Sequence, residues 1–418
     1  MTTSSAGLLA LPLELKMEVL QETIKNSPHD LVNTIRSCKL MYNAYQRNRW
    51  SILKVVLIAL GPNELALTSA HYHATVAPWR YVTRPDDRTT RGGEGYLDGV
   101  FKFCDQHLSK QGTRLGTPHN ELTLHIAMHL IGTHLWIHDL AQRVAGIAVQ
   151  VMSGRSFVFD KPEPSPVEIS LVYKSLCIID LARLLFPDIA RLDRRAVDTI
   201  DTAFKKFWSC FAPWECAQIP ALMNMLAGVP AITSRTGSQT AGMALLTLRG
   251  LKALGGLWYP EYKMPAYDKA LLKRLNNDGA TIHWPFCQDE WQWFPRVYGP
   301  PRPGHENQRV ILDSKVFEKY DADIDSGPAR AWLWRNASGC VREGIDFPEF
   351  SDGVTWWAQH EVPGCILSWD LEHLLRVTKG RLPSLATMIK GIGNRHVELP
   401  GEIARVRDLN ERLIRRLR

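Results

Sequence analysis

Across 418 residues the chain carries 50 Lys+Arg against 43 Asp+Glu, a formal net charge of +7, with 45% hydrophobic and 22% charged residues. This is the composition of an ordinary soluble globular protein, long enough for about two or three domains. The mild positive charge neither demands nor excludes nucleic acid; with no long Lys/Arg block and no aromatic-interleaved basic patch before the C-terminal tail, no nucleic acid is expected. No run approaches the roughly 20 apolar residues that span a bilayer, because Val55–Leu60 and Ile126–Ile137 are short or interrupted, so no membrane partner is expected.

The first helix opens around Leu11-Pro12-Leu13-Glu14-Leu15. Pro12 suits a first helical position, where its missing N–H would be unpaired anyway, and Glu14 and Glu18 lie where the helix dipole favours negative charge. Leu11, Leu15, Val19, Leu20 and Ile24 follow as one apolar stripe. Ser27-Pro28-His29-Asp30 then supplies a cap oxygen, a proline and an acid three residues after the cap, so a second helix should start at Ser27. Its stripe is Leu31, Ile35 and Cys38. A third short helix through Tyr42, Ala44 and Tyr45 leads to Trp50, Ile52 and Leu53. Three such helices, about 45 residues in all, lie near the size below which a core cannot hold itself together, so the unit needs a surface to lean on.

Further along, 52–73 reads as one or two helices ending at Pro78-Trp79, and 83–95 as an exposed loop rich in Pro, Asp, Arg and Gly. Helical patterns return over 96–152, 168–185, 194–211, 214–226 and 241–254, with a proline-bearing loop over 154–167. Beyond Tyr259 prolines punctuate the chain, and eight of its 14 tryptophans fall between Trp284 and Trp369. Short helices and ordered loops stabilised by aromatic burial are expected there. The segment 402–418 is an amphipathic helix with Ile403, Val406, Leu409, Leu413 and Leu417 on one side and arginines around it. The fold class is therefore mainly α, divided into 1–53, a helical domain over 54–258, a Trp/Pro-rich region over 259–400 and a basic helix over 401–418.

Eight cysteines, none in a C-x-x-C pair, and an N-terminus without a basic start or long apolar run point to reduced thiols in the cytoplasm or nucleus. The histidines His119, His125, His129, His134 and His138, with Asp139, suggest metal binding at first sight. At about 100° per residue, however, the pair His125/His129 and the pair His134/His138 face opposite ways on one helix. Neither pair brackets the glutamate of a zinc protease, since Ile126 and Leu135 hold that place. Asp321–Asp325 opens like a calcium loop but has Ser326 for the turn glycine and Trp332 for the bidentate glutamate, and reads as a capping turn before a helix at Ala329. Gly237–Gly242 has the glycine spacing of a phosphate loop with Met243-Ala244 in place of Lys and Ser/Thr. No cofactor, metal or catalytic constellation is expected, and the chain is read as a non-enzyme.

The leucine-proline start, the Ser27-Pro28-x-Asp30-Leu31 helix opening and the three short helices resemble an F-box. Phe211-x-x-Trp214-Glu215 and Trp356-Trp357 followed by Trp369-Asp370 are similar to segments of a group of F-box-like proteins of filamentous fungi. The resemblance implies an N-terminal module that docks a Skp adaptor protein through Leu11, Pro12, Leu15, Val19, Leu31, Ile35 and Cys38. Met41-Tyr42 stands where many F-boxes place a tryptophan. The function implied is a substrate receptor of a Skp/cullin/F-box ubiquitin ligase that holds an unknown target protein. The alternative is a scaffold or interaction protein whose N-terminal helices pack on its own body.

Overall fold

The computed structural model describes residues 11–80, 82–83, 90–91, 95–109, 122–153, 163–186, 194–212, 265–277 and 326–336, with scattered residues between 214 and 252 and at 371, 372 and 375. Within them the protein is mainly α-helical. His119, the stretches 237–241 and 321–325, the tail 402–418 and most of the Trp/Pro-rich region lie outside the described residues.

The helices are α1 (Leu13–Asn26), α2 (Pro28–Ser37), α3 (Lys39–Ala59), α4 (Pro62–Val76), α5 (Tyr96–Phe103), α6 (Leu124–Ser153), α7 (Pro166–Leu185) and α8 (Arg194–Trp208), with further helices over Ala266–Asn277 and Gly327–Asn336. At the expected loop 83–95, β1 (Val82–Thr83), which starts one residue before it, pairs antiparallel with β2 (Thr90–Arg91). Contacts divide the chain into two units, one of 1–80 with 93–140, the other of 81–92 with 141–418.

In the first unit Pro12 takes the cap position, one residue before the expected first helical place, and its carbonyl accepts the Lys16 N–H at 3.1 Å. Ser27 caps α2, its hydroxyl accepting the Asp30 N–H at 3.3 Å, with Pro28 in the first turn. Cys38 separates α2 from α3 in an extended conformation, and its Sγ accepts the Met41 N–H at 3.4 Å. The third helix breaks at Asn48, whose backbone is non-helical and whose side-chain amide donates to the Ala44 carbonyl at 3.2 Å, and helix resumes beyond it to Ala59, in keeping with a short third helix followed by the helix expected from Ile52 onward.

One hydrophobic core joins Leu20 and Ile24 of α1, Leu31 and Ile35 of α2, and Met41, Ala44, Tyr45, Ile52, Leu53 and Val56 of α3. Leu122, Ala127, Leu130 and Ile131, from α6 and the residues before it, belong to the same core. The three N-terminal helices thus lean on this chain's own α6, which supplies the surface so small a unit requires. No single helix among the described residues is long and apolar enough to cross a membrane; α3 and α4 together carry such a content but are bent by 111°.

Among the described residues of the second unit, α7 is buried on nearly all sides from Val172 to Ala182, as an interior helix is. Ser165 and Glu168 close a reciprocal capping box at its start, Glu168 N–H to Ser165 Oγ at 3.2 Å and Ser165 N–H to Glu168 Oε2 at 2.9 Å. Phe186 packs edge-on against Phe204 and Phe207, and Phe207 against Trp208 and Phe211. The helix Gly327–Asn336 starts two residues before the expected Ala329, and the Ser326 hydroxyl accepts the Ala329 N–H at 3.4 Å.

Candidate functional site

The seven residues nominated for adaptor docking separate into two groups. Pro12 is exposed, Leu15 is 43% exposed and Leu11 is half-buried; Leu13, which the sequence reading did not nominate, is 39% exposed. Leu31 is fully buried and Ile35 nearly so, while Val19 and Cys38 are half-buried and packed on the core. Residues Leu31 and Ile35 therefore serve the core of the first unit rather than its surface. The reason is spacing: four residues apart on α2, they turn to the same side and fill the space between α1 and α3. What remains outside is the first turn of α1, where Pro12, Leu13 and Leu15 form an apolar tip on a helix anchored inward by Leu20 and Ile24.

The histidines form a second feature, and its partners come from elements the sequence reading did not connect. His71 on α4 and His129 on α6 meet with Nδ1 and Nε2 3.2 Å apart, their rings stacked at 5.4 Å between centroids. Tyr72 packs edge-on against His129 and His125. His73, on the next position of α4, stacks on His107 at 4.4 Å and 22°. His107 reaches that place because the backbone widens to a π-type turn over Cys104–Leu108, closed by the Ser109 N–H on the Cys104 carbonyl at 2.9 Å. His134 and His138 lie 5.5 Å apart on α6. Missed by the sequence reading were His71, His73 and His107; the alternation His71-Tyr72-His73 was the one local signal, and nothing in it revealed partners on other elements.

Burial and the neighbouring His73 push the His107 imidazole down to about 4, from an ordinary value near 6.5. The His134 imidazole is likewise lowered by burial, then by His138, with Glu64 opposing. Both effects favour neutral rings packed as aromatic bodies. Among the described residues no group of three or more His, Cys, Asp or Glu converges on a point where a metal ion would be held. Among the described residues, Cys38, Cys104, Cys177, Cys210 and Cys216 are not in disulfides.

The Phe211-x-x-Trp214-Glu215 turn, read from sequence as a mark of resemblance, has a structural job. Glu215 accepts the Ala212 N–H at 2.8 Å while the Ala212 carbonyl accepts the Cys216 N–H at 2.9 Å, half of a capping box, and it also pairs with Lys174 of α7. Trp214 is buried. Compared with known proteins, the chain matches no family model, no curated protein and no solved structure.

Proposed function

We propose that this chain is a non-catalytic protein-binding subunit, an F-box-type substrate receptor that docks a Skp adaptor through the apolar tip of α1 and holds a target protein elsewhere on its helical body. It does no chemistry of its own in this reading, and ubiquitin transfer is accelerated by proximity. The observation that supports it is the exposure of Pro12, Leu13 and Leu15 at the start of a helix that Leu20 and Ile24 hold in the core. Neighbouring apolar side chains left in water on a rigid element mark an interaction site more often than an isolated exposed leucine does. The adaptor would cover the Leu11–Leu15 tip, with Val19 and Cys38 at its margin, in the cytoplasm or nucleus.

The test is co-purification of the full chain with a fungal Skp adaptor. The variant Leu11→Ala with Pro12→Ala and Leu15→Ala should lose the association and retain the wild-type circular dichroism. Wild-type protein that ignores the adaptor at micromolar concentration sinks the reading. A specific observation favours the second reading, a scaffold whose N-terminal helices serve only its own fold: Leu31 and Ile35 share a core with Leu122, Leu130 and Ile131. Global unfolding of the triple variant would move that reading ahead.

A further inference from the structure

We propose that the π-type turn Cys104–Leu108 is an acid-released latch on α4, closed while the stacked rings of His73 and His107 are neutral and opened when they take up protons. The inference concerns the first unit alone and is independent of adaptor docking by α1.

The geometry of the turn carries the proposal. A π-type turn is rare and is often found at functional positions. This one holds His107 between two elements: its ring stacks on His73 of α4 with centroids 4.4 Å apart and 22° between planes, and Phe103 of α5 lies 5.1 Å away. Cys104 and Leu108, the first and last residues of the turn, are buried, and the Ser109 N–H closes it on the Cys104 carbonyl. Neutral imidazoles pack in this way as aromatic bodies. Two imidazolium rings at the same separation repel, and a half-buried ring also loses part of the hydration that its charge requires.

The surrounding charged and titratable groups come from three helices and the turn. On the turn Asp105 is exposed, as are Asp98 and Lys102 on α5. On α4 Tyr72 lies edge-on to His73, His71 meets His129 of α6, and the acid Glu64 stands at the other end of the helix, where it acts on His134. His125 of α6 also meets Tyr72. Burial first, and then His73, push the His107 imidazole down to about 4 from 6.5, both acting against its charged form. A turn opened to water returns the ring to its ordinary value. The open form therefore binds the proton more tightly than the closed one and gains on it as the pH falls from 6.5 to about 4. The core of α1, α2 and α3 rests on Leu20, Ile24, Leu31 and Met41, which do not titrate, so the turn can open while that core stays folded.

The test is hydrogen exchange of the full chain read by mass spectrometry at about pH 7 and about pH 4.5, each expressed as protection relative to an unstructured chain at that pH. Protection over the turn should fall about tenfold or more between the two, as the difference in proton affinity requires, while peptides from α1, α2 and α3 remain protected at the lower pH. His107→Phe, which keeps a ring against His73 and Phe103, should hold the turn closed there. His73→Phe, which removes the neighbouring imidazole and leaves the burial of His107, should reduce the fall in part. Loss of protection in the turn and in α1–α3 together would mean that only global unfolding occurs and would overturn the proposal. So would a turn that stays protected at about pH 4.5, or a His107→Phe variant that opens as the wild type does.

Discussion

Gly99 of α5 lies directly beneath the indole of Trp79, so close that a Cβ built at position 99 would stand 2.4 Å from Cγ and Cδ2 of the ring. Trp79 is also flanked edge-on by Tyr96 and Phe103, one turn before and after the glycine on the same helix. The helix keeps a glycine here because the ring occupies the space of a side chain. Gly99→Ala should therefore destabilise the first unit by about 1–3 kcal/mol, the usual cost of forcing an extra methyl into packed surroundings, although alanine is the better helix former. Urea denaturation checks it. A variant as stable as the wild type would mean that the indole moves aside freely.

The paired histidines give stability a pH dependence whose sign follows from His107. Its folded value, about 4, lies below the ordinary value of the unfolded chain, near 6.5. The unfolded state therefore binds the proton more tightly. The contribution is fully present above pH 6.5 and is lost as the pH falls from 6.5 to about 4. The lowered His134 imidazole acts in the same direction, with His138 adding to the effect and Glu64 opposing it. Urea midpoints taken between pH 7 and 4 should decline, and His107→Phe, which keeps a ring against His73 and Phe103, should flatten part of that decline. An unchanged slope in the variant would remove His107 from the account.

Leu31 and Leu15 should respond in opposite ways to the same truncation. Leu31 is fully buried in the core, and Leu31→Ala should cost about 2–5 kcal/mol from lost transfer energy and the cavity left behind. Leu15 is 43% exposed, and Leu15→Ala should change stability by no more than about 0.5 kcal/mol. Its effect should appear in adaptor binding instead. A large loss of stability from Leu15→Ala would show that the tip of α1 belongs to the fold.

In the second unit, Glu215→Ala removes the acceptor of the Ala212 N–H and the counter-charge of Lys174 together. The loss of a helix-start acceptor costs about 1 kcal/mol, and the half-exposed ion pair adds less than that. Glu215→Gln, which can still accept from Ala212, should recover most of the stability in thermal melts. Equal losses in the two variants would assign the effect to the charge.

How far the chain could be read without coordinates depended on how local each cause was. The mainly α class and the cap at Ser27 were legible because a few neighbouring residues suffice: an oxygen to accept an orphan N–H, a proline with its φ already set, an apolar residue every third or fourth position. The same signals stand at Ser165-Pro166, where α7 starts two residues before the expected Glu168. The place of the break within α3 was not legible: Asn48 interrupts the regular backbone, and neither a proline nor a glycine marks the spot.

Tertiary structure alone decided which apolar residues belong to the surface. Leu15 and Leu31 both stand on amphipathic stripes and look alike in the sequence, yet one meets water and the other Leu20, Ile24 and Met41. The same holds for the histidines. Spacing set His125 and His129 on one face of α6, as expected, but only the approach of α4 put His71 within 3.2 Å of His129, and only the π-type turn brought His107 onto His73. Periodicity assigns a residue to a face of its own helix, whereas what that face meets depends on elements distant in the chain, whose approach is set by packing and not by any local pattern.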